Sequence, residues 1–226
     1  RAVPADQIPA IVDWAAAVEA PLHVHLSEQR AENDACLAAH GRTPAELLDE
    51  HGALGTGCCM VHATHLTDGD IERLGATAVC MCATTERDLA DGIGPARALA
   101  SPLCLGSDSH AVIDLLEEAR AVELDERLAC GERGRHSAAE LLHAATAGGY
   151  ASLGMPDGGR IAAGGLADLA TIALDSVRLA GTPPAAAVFC ASAADVRDVM
   201  VGGRWVVRDG AHVSIDVANA LREALP

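Results

Sequence analysis

The chain has 226 residues, of which 50% are hydrophobic, so it can bury a sizeable core and lacks the composition of a disordered protein. Its formal net charge is −16 and every basic residue is an arginine, which argues against a nucleic-acid partner but not against local binding of a substrate carboxylate. The eight cysteines contain no Cys-x-x-Cys pair and no segment is apolar enough to span a membrane, so the sequence predicts a cytoplasmic protein with free thiols and no membrane partner.

The first part of the chain alternates short apolar runs with helical patterns. Apolar residues at helical spacing predict a first helix over residues 4–19, ended by Pro21. The apolar runs predict four strands, over residues 22–26, 58–62, 76–82 and 103–107. Helices are expected over residues 28–39, 44–51, 67–74, 94–100, 113–130 and 137–153, with Thr43 and Thr67 as caps and a polar loop over residues 84–94. This alternation is typical of a parallel sheet with crossover helices.

The character of the sequence changes after residue 155. Short β-branched runs separated by glycine pairs predict a small, mostly antiparallel β unit that ends near Val213, with a closing helix over residues 216–225. The sequence therefore predicts two units, residues 1–155 and 156–226. A closed barrel of eight strand–helix units takes about 250 residues, so the first unit has room for about half of one. The expected fold class is α/β, a partial TIM-type (β/α) barrel followed by a small β-sandwich-like unit.

Three of the predicted strands end in residues that bind metals or move protons. His23 and His25 point to the same face of the first strand, and Glu28 follows where that strand ends. His62 ends the second strand, and Asp108 follows the fourth. Because parallel strands deliver their carboxyl ends to one face of a barrel, these side chains are expected to form one site. Imidazoles and carboxylates at such a face are the parts of a metal-dependent hydrolase.

Each of these residues also has a purely structural explanation. Glu28 would be favoured at the start of any helix by the helix dipole, and Asp108 could cap the helix that follows it. His65, three residues beyond His62, is interpreted as an outer residue of the site. The segment from residue 84 to residue 92 holds four charged residues and is as consistent with a solvated turn as with a binding loop.

Four motifs, in this order, carry a family resemblance. HLSEQ at residues 25–29, VHATHLT at 61–67, TTERDLADG at 84–92 and LGSDSHA at 105–111 resemble the amidohydrolase superfamily, and within it the formimidoylglutamate deiminase family. The resemblance implies that the four predicted strands are the last four of the barrel. It also implies the reaction, in which N-formimidoyl-L-glutamate and water give N-formyl-L-glutamate and ammonia during histidine degradation.

The same resemblance implies a role for each candidate residue. One divalent ion, Zn²⁺ with Fe²⁺ as the alternative, would be held in part by His25 and Asp108. As catalytic residues, Glu28 would protonate the leaving nitrogen, His62 would stabilise charge at the attacked carbon, and Asp108 would accept a proton from the attacking water. Arg1, in the segment RAV, would bind the carboxylate of the small-molecule substrate.

One feature of the family pattern is missing. The family's first strand supplies a His-x-His pair to the metal, and the only such pair here, His23–Val24–His25, already corresponds to a later strand. The chain is therefore interpreted as the carboxyl-terminal half of such an enzyme, and this fragment is expected to bind metal weakly when alone. Two other interpretations stay open, namely a deaminase of the guanine or cytosine type and an inactive half-barrel with only an assembly role. A homodimer is expected for the intact enzyme.

Overall fold

The computed structural model describes residues 3–109 and 112–224, in which a four-stranded parallel sheet is followed by a four-stranded antiparallel sheet. The parallel strands are β1 (Leu22–Leu26), β2 (Cys58–His62), β3 (Ala78–Met81) and β4 (Leu103–Leu105). Their helices are α1 (Ile8–Ala17), α2 (Arg30–His40), α3 (Pro44–Glu50), α4 (Asp68–Leu74), α5 (Ala83–Asp88), α6 (Leu115–Cys130), α7 (Ala138–His143) and α8 (Gly149–Ser152). The predicted α/β class with a parallel sheet is confirmed. The described strands form an open row in chain order, with β1 and β4 outermost.

The register of the parallel sheet brings the carboxyl ends of its strands level. Leu26 at the end of β1 lies opposite His62 at the end of β2, and Met81 at the end of β3 lies opposite Leu105 at the end of β4. Residues that follow these four positions therefore emerge along one edge of the sheet. The buried core, which includes Met60 and Val79, lies between this sheet and its helices.

Capping residues determine where several helices begin. Thr43 and Thr67 are helix caps, as predicted, and each also forms a capping box, with Glu46 and Asp70 as the reciprocal partners. The second helix begins at Arg30 and not at residue 28, because Gln29 is its cap and forms a capping box with the third helical residue. This shift leaves Glu28 in the connection between β1 and α2, next to the strand ends.

The expected polar loop over residues 84–94 is wrong in its first half. Residues Ala83–Asp88 form the short helix α5, in which Thr84, Thr85 and Glu86 are buried. The carboxylate of Glu118, on α6, accepts hydrogen bonds from the amide and hydroxyl of Thr84 and so satisfies buried groups at the start of α5. Thr84 and Glu86 therefore belong to buried hydrogen-bond networks, whereas Arg87 and Asp88 of the same segment are exposed.

Two predicted helices differ in the structure. Residues 94–100 contain only a turn at residues 96–98, and Gly94 packs so closely that an added Cβ would lie 2.7 Å from Cε of Met81. The predicted helix over residues 137–153 is divided into α7, a π-helical turn over Ala144–Gly148, and α8. A Cβ on Gly148 would lie 2.4 Å from the Leu103 carbonyl oxygen, so glycine is what lets this helix pack directly against β4.

The second unit is built on antiparallel strands, as predicted. They are β5 (Leu169–Ile172), β6 (Val196–Val201), β7 (Arg204–Arg208) and β8 (Ala211–His212), with α9 (Ala187–Cys190) between β5 and β6 and α10 (Val217–Ala224) after β8. Gly202 and Gly203, with φ of 55° and 76°, connect β6 to β7 in a two-residue hairpin turn that requires left-handed backbone at both positions. The division of the chain near residue 155 stays a prediction.

Two general properties of the described residues bear on the sequence predictions. All eight cysteines are free thiols, and Cys130 and Cys190 are exposed. Among the described helices, none combines the length and apolarity needed to cross a membrane.

Candidate active site

The site lies where β1, β2 and β4 end, and it contains three of the predicted residues. One ligand-type atom each from Glu28, His62 and Asp108 lies within 4.8 Å of the other two. His62 and Glu28 are almost fully buried, whereas the Asp108 side chain is 33% exposed. Residues separated by up to 80 positions in sequence are thus brought together by the parallel sheet, with one side open to solvent.

The backbone is strained at each of the three strand ends. Ser27, His62 and Asp108 all have left-handed φ angles, of 48°, 71° and 45°, which residues other than glycine rarely adopt. The amide of Ala63 donates to the Leu26 carbonyl, and the amide of His65 donates to that of Ser27, so the ends of β1 and β2 hold each other. Backbone strain of this kind persists only where the surroundings impose it, and it is common at functional sites.

The spacing of the three side chains suits a cation between them. His62 Nε2 lies 3.6 Å from Glu28 Oε2 and 3.8 Å from Asp108 Oδ2, too far for hydrogen bonds. Two ligands of a tetrahedral zinc site with bonds of about 2.1 Å are separated by about 3.4 Å, close to these distances. Among the described residues, the buried Nε2 of His62 has no hydrogen-bond partner. An imidazole nitrogen and two carboxylates in this arrangement fit a divalent metal ion such as zinc.

Glu86 completes the surroundings of His62 and is not among the residues that the sequence predicts for the site. Its Oε1 accepts a hydrogen bond of 3.0 Å from the Cys82 amide and lies 3.4 Å from His62 Nδ1. A carboxylate beside one ring nitrogen favours the tautomer that carries the proton there and leaves the other nitrogen with its lone pair. The available signal was position, because Glu86 follows the end of β3 just as the other site residues follow the ends of their strands.

The charge of the site also favours a cation. Three carboxyl groups, those of Glu28, Glu86 and Asp108, lie 3.6, 3.4 and 3.8 Å from the ring nitrogens of one imidazole. Two of the three are almost fully buried. Buried negative charge is costly unless a positive charge compensates it, so a divalent ion would stabilise this arrangement.

His25 and His65 lie beside the group of three. The His25 ring stacks on that of His62, with ring centroids 5.4 Å apart and an interplanar angle of 15°. His25 therefore adjoins the centre, and its role as a metal ligand stays a prediction. The His65 carbonyl accepts a 2.7 Å hydrogen bond from the Asn33 side chain, which connects it to α2. Arg1 and His110 lie outside the described residues.

Comparisons with known proteins show which family this chain resembles. The Amidohydrolase family matches residues 1–206. The chain is 40% identical to the formimidoylglutamate deiminase of Pseudomonas aeruginosa, over 94% of this chain and 50% of that protein. It is 38% identical to the 8-oxoguanine deaminase of the same species, over 92% of this chain and 48% of that protein.

The solved structures point the same way. An adenosine deaminase from Xanthomonas campestris with bound zinc matches at a TM-score of 0.91 and 26% identity, over 98% of this chain and 53% of that one. The chain thus spans about half the length of the relatives it matches. Its α/β fold follows that of amidohydrolase structures of the TIM-barrel type, and by sequence and structure together the chain belongs to the amidohydrolase family.

Proposed function

We propose that the chain supplies one half of a zinc-dependent deiminase that hydrolyses N-formimidoyl-L-glutamate to N-formyl-L-glutamate and ammonia. The observation that carries the hydrolase assignment is the convergence of Glu28, His62 and Asp108 at one edge of the sheet. The choice of substrate is supported by the 40% identity to a formimidoylglutamate deiminase. A cytoplasmic location, a homodimer of the intact enzyme and a division into units of residues 1–155 and 156–226 belong to the same proposal.

The residues of the centre would bind the ion and handle protons. Zinc, when bound, would act as a Lewis acid and lower the pKa of a coordinated water toward about 7. His25 and Asp108 would hold the ion, as the family resemblance implies, and Asp108 would also accept the proton of the attacking water. His62, held by Glu86, would stabilise the charge that develops at the attacked carbon. Fe²⁺ suits the same ligand types.

Glu28 and Arg1 would act on the substrate. Glu28 is buried and lies 3.6 Å from His62, so it can carry a proton to the leaving nitrogen without competition from bulk water. Arg1 would bind a substrate carboxylate through a bidentate contact. In this proposal Glu28 is a proton carrier, whereas its place in the group of three would also allow it to bind the ion.

Replacing Glu28 by glutamine separates these two uses. In the intact enzyme, the variant E28Q should keep the zinc content of the wild type, measured by atomic absorption, and should lose turnover by at least about 100-fold. D108N is the matched comparison and should lose zinc as well as turnover. Loss of zinc in E28Q would make Glu28 a ligand, and unchanged turnover in E28Q would refute its catalytic role.

The substrate is tested by ammonia release. The zinc-loaded chain is assayed alone and together with the segment of the Pseudomonas aeruginosa deiminase that it does not match, using N-formimidoyl-L-glutamate, 8-oxoguanine, guanine and cytosine. Release from N-formimidoyl-L-glutamate in the mixture is the expected result. Activity on the purine or pyrimidine rings alone would refute the proposed substrate, and inactivity of the mixture on all four would favour a half-barrel with only an assembly role.

One alternative substrate class has specific support. The 38% identity to an 8-oxoguanine deaminase is nearly as high as that to the formimidoylglutamate deiminase. Against it, aromatic residues are 2% of the chain, which leaves few surfaces on which a purine or pyrimidine ring could stack. The acyclic substrate is therefore preferred.

A further inference from the structure

Three consecutive buried residues of α5 face three different neighbours. Thr84 donates its amide and hydroxyl to Glu118 on α6. Glu86 contacts His62, as described above. Thr85, which is 0% exposed, contacts the connection that carries Asp108. In the proposed function Glu86 orients His62, whereas Thr85 has no role.

The hydroxyl of Thr85 contacts the residues on both sides of Asp108. It donates to the Ser107 carbonyl at 3.2 Å and accepts from the Ser109 amide at 3.1 Å. The Ser109 hydroxyl lies 3.0 Å away and can donate to the same oxygen. A threonine hydroxyl has one proton to donate and two lone pairs, so these three contacts use its full capacity.

Asp108 needs such a restraint. It follows the three-residue strand β4, its φ is +45°, and its side chain is partly exposed, so neither regular structure nor burial holds its backbone. Thr85 is the opposite in each respect, because it is fully buried, helical, and flanked by a residue anchored on α6. The rigidly held hydroxyl of Thr85 thus forms hydrogen bonds with the two peptide groups that flank the strained residue Asp108.

We propose that Thr85 is a positioning residue that holds Asp108 in its left-handed conformation and so directs its carboxylate toward His62. The effect of this positioning on metal binding rests on the proposed function, whereas the effect of Thr85 on the conformation of Asp108 does not. Thr85 touches neither the carboxylate nor His62 in this scheme, and it acts only through the backbone of residues 107–109.

Three variants test the proposal. Thr85→Val keeps the shape of the side chain and removes the hydroxyl, Thr85→Ser keeps the hydroxyl, and Thr171→Val removes an exposed threonine hydroxyl from the antiparallel sheet as a matched control. NMR of the 15N-labelled chain gives the HN–Hα coupling of Asp108 and the exchange rate of the Ser109 amide. Calorimetry gives the zinc affinity, and thermal unfolding checks that each variant folds.

The expected pattern separates positioning from general stability. In T85V, the exchange rate of the Ser109 amide should rise at least tenfold and the HN–Hα coupling of Asp108 should change. The zinc affinity of this variant should fall at least tenfold. T85S and T171V should match the wild type within about threefold. Wild-type exchange and coupling in a folded T85V would overturn the inference, even if zinc affinity fell.

A second variant covers the case in which T85V does not fold. Ser109→Ala changes an exposed residue, removes one of the three contacts and should give an intermediate increase in exchange at residue 109. An exchange rate equal to that of the wild type in S109A would then count against the inference. If neither the wild-type chain nor its mixture with the unmatched segment of the Pseudomonas aeruginosa deiminase binds zinc, the proposed function fails, but the NMR measurements still decide whether Thr85 holds Asp108.

Discussion

His62 is the residue on which the geometry of the centre depends. Both of its ring nitrogens face carboxylates: Glu86 lies beside Nδ1, and Glu28 and Asp108 lie beside Nε2. The Glu86 carboxylate is itself held by the Cys82 amide, so the ring is oriented by a group that cannot rotate freely. A fixed ring whose Nε2 faces Glu28 and Asp108 can bind an ion or stabilise a developing charge without reorganisation.

Removing Glu86 should therefore reduce both stability and metal binding. Glu86→Ala leaves the buried Cys82 amide without its acceptor and should lower the free energy of unfolding by about 1–3 kcal/mol, measured by urea denaturation. It should also lower zinc affinity by about 10-fold to 100-fold, as loss of an outer carboxylate usually does. Glu86→Gln keeps an acceptor oxygen for the same two contacts and should lose much less of either. Equal zinc affinity in wild type and E86A would show that Glu86 does not orient His62.

At the scale of elements, α5 is the part that connects the strand ends to the helical layer. It begins against Glu118 of α6, holds the connection after β4 through Thr85, and contacts the end of β2 through Glu86. Six residues thus fix two of the three members of the centre. The helix is too short to be stable by itself, so its tertiary hydrogen bonds must supply what local propensity does not.

The elements that the sequence predicts well are those specified by local signals. The strands at residues 22–26 and 58–62 have the predicted bounds, and Thr43 and Thr67 are the predicted caps, because apolar runs and capping residues act within a few positions. Helix α5 could not be predicted in this way. Its polar residues are buried because Glu118, 34 positions beyond Thr84, satisfies them, and such a pairing is invisible to a local pattern.

The sequence likewise predicts some residues of the candidate site and not others. The sequence predicts that Glu28, His62 and Asp108 converge, since each ends or follows a strand whose place in the sheet the alternating pattern implies. It does not predict Glu86, because a helix replaces the expected loop there. His25 stacks on His62 and is not one of the group of three. This arrangement depends on side-chain geometry, which the spacing of residues in the sequence does not determine.

The pH dependence of stability offers a test of the α5–α6 contact. Burial raises the pKa of Glu118 above the usual 4.5, and the charge of Glu86 acts in the same direction, while the hydrogen bonds from Thr84 oppose both. A carboxyl whose pKa is higher in the folded chain stabilises it below the unfolded pKa, and this contribution is lost as the pH rises through the folded pKa. Glutamine does not titrate and shows no such loss.

The unfolding free energy of the wild type should therefore fall relative to that of Glu118→Gln as the pH rises. Whatever their difference at pH 4, it should shift in favour of E118Q by pH 8, measured by urea denaturation at several pH values. Glu140→Gln is a useful contrast, because hydrogen bonds from Ser137 lower the pKa of Glu140 and give a contribution that is instead lost at low pH. A pH-independent difference between wild type and E118Q would contradict the raised pKa.

At the scale of the whole molecule, the outermost strands of the parallel sheet distinguish the described structure from a closed barrel. Within the described residues, β1 pairs only with β2 and β4 only with β3. An apolar cavity of about 430 Å³ adjoins β1 and is lined in part by Ile8 and Ile11 of α1 and by Leu22 and Val24 of β1. Unpaired strand edges beside apolar surface favour association with a further chain or segment.

The expected partner is the part of the family fold that the chain does not match. When the chain is mixed or co-expressed with the remaining segment of the Pseudomonas aeruginosa deiminase, a one-to-one complex should form, detected by light scattering. Amide hydrogen exchange should slow in β1 and β4, because new strand pairs would protect their outer amides, while β6 and β7 should be unaffected and serve as the internal control. Absence of a complex, or protection confined to the antiparallel sheet, would show that these edges are not completed in this way. Zinc affinity should rise in the complex, because this chain is proposed to supply only two protein ligands, His25 and Asp108, and a zinc site usually has three or four.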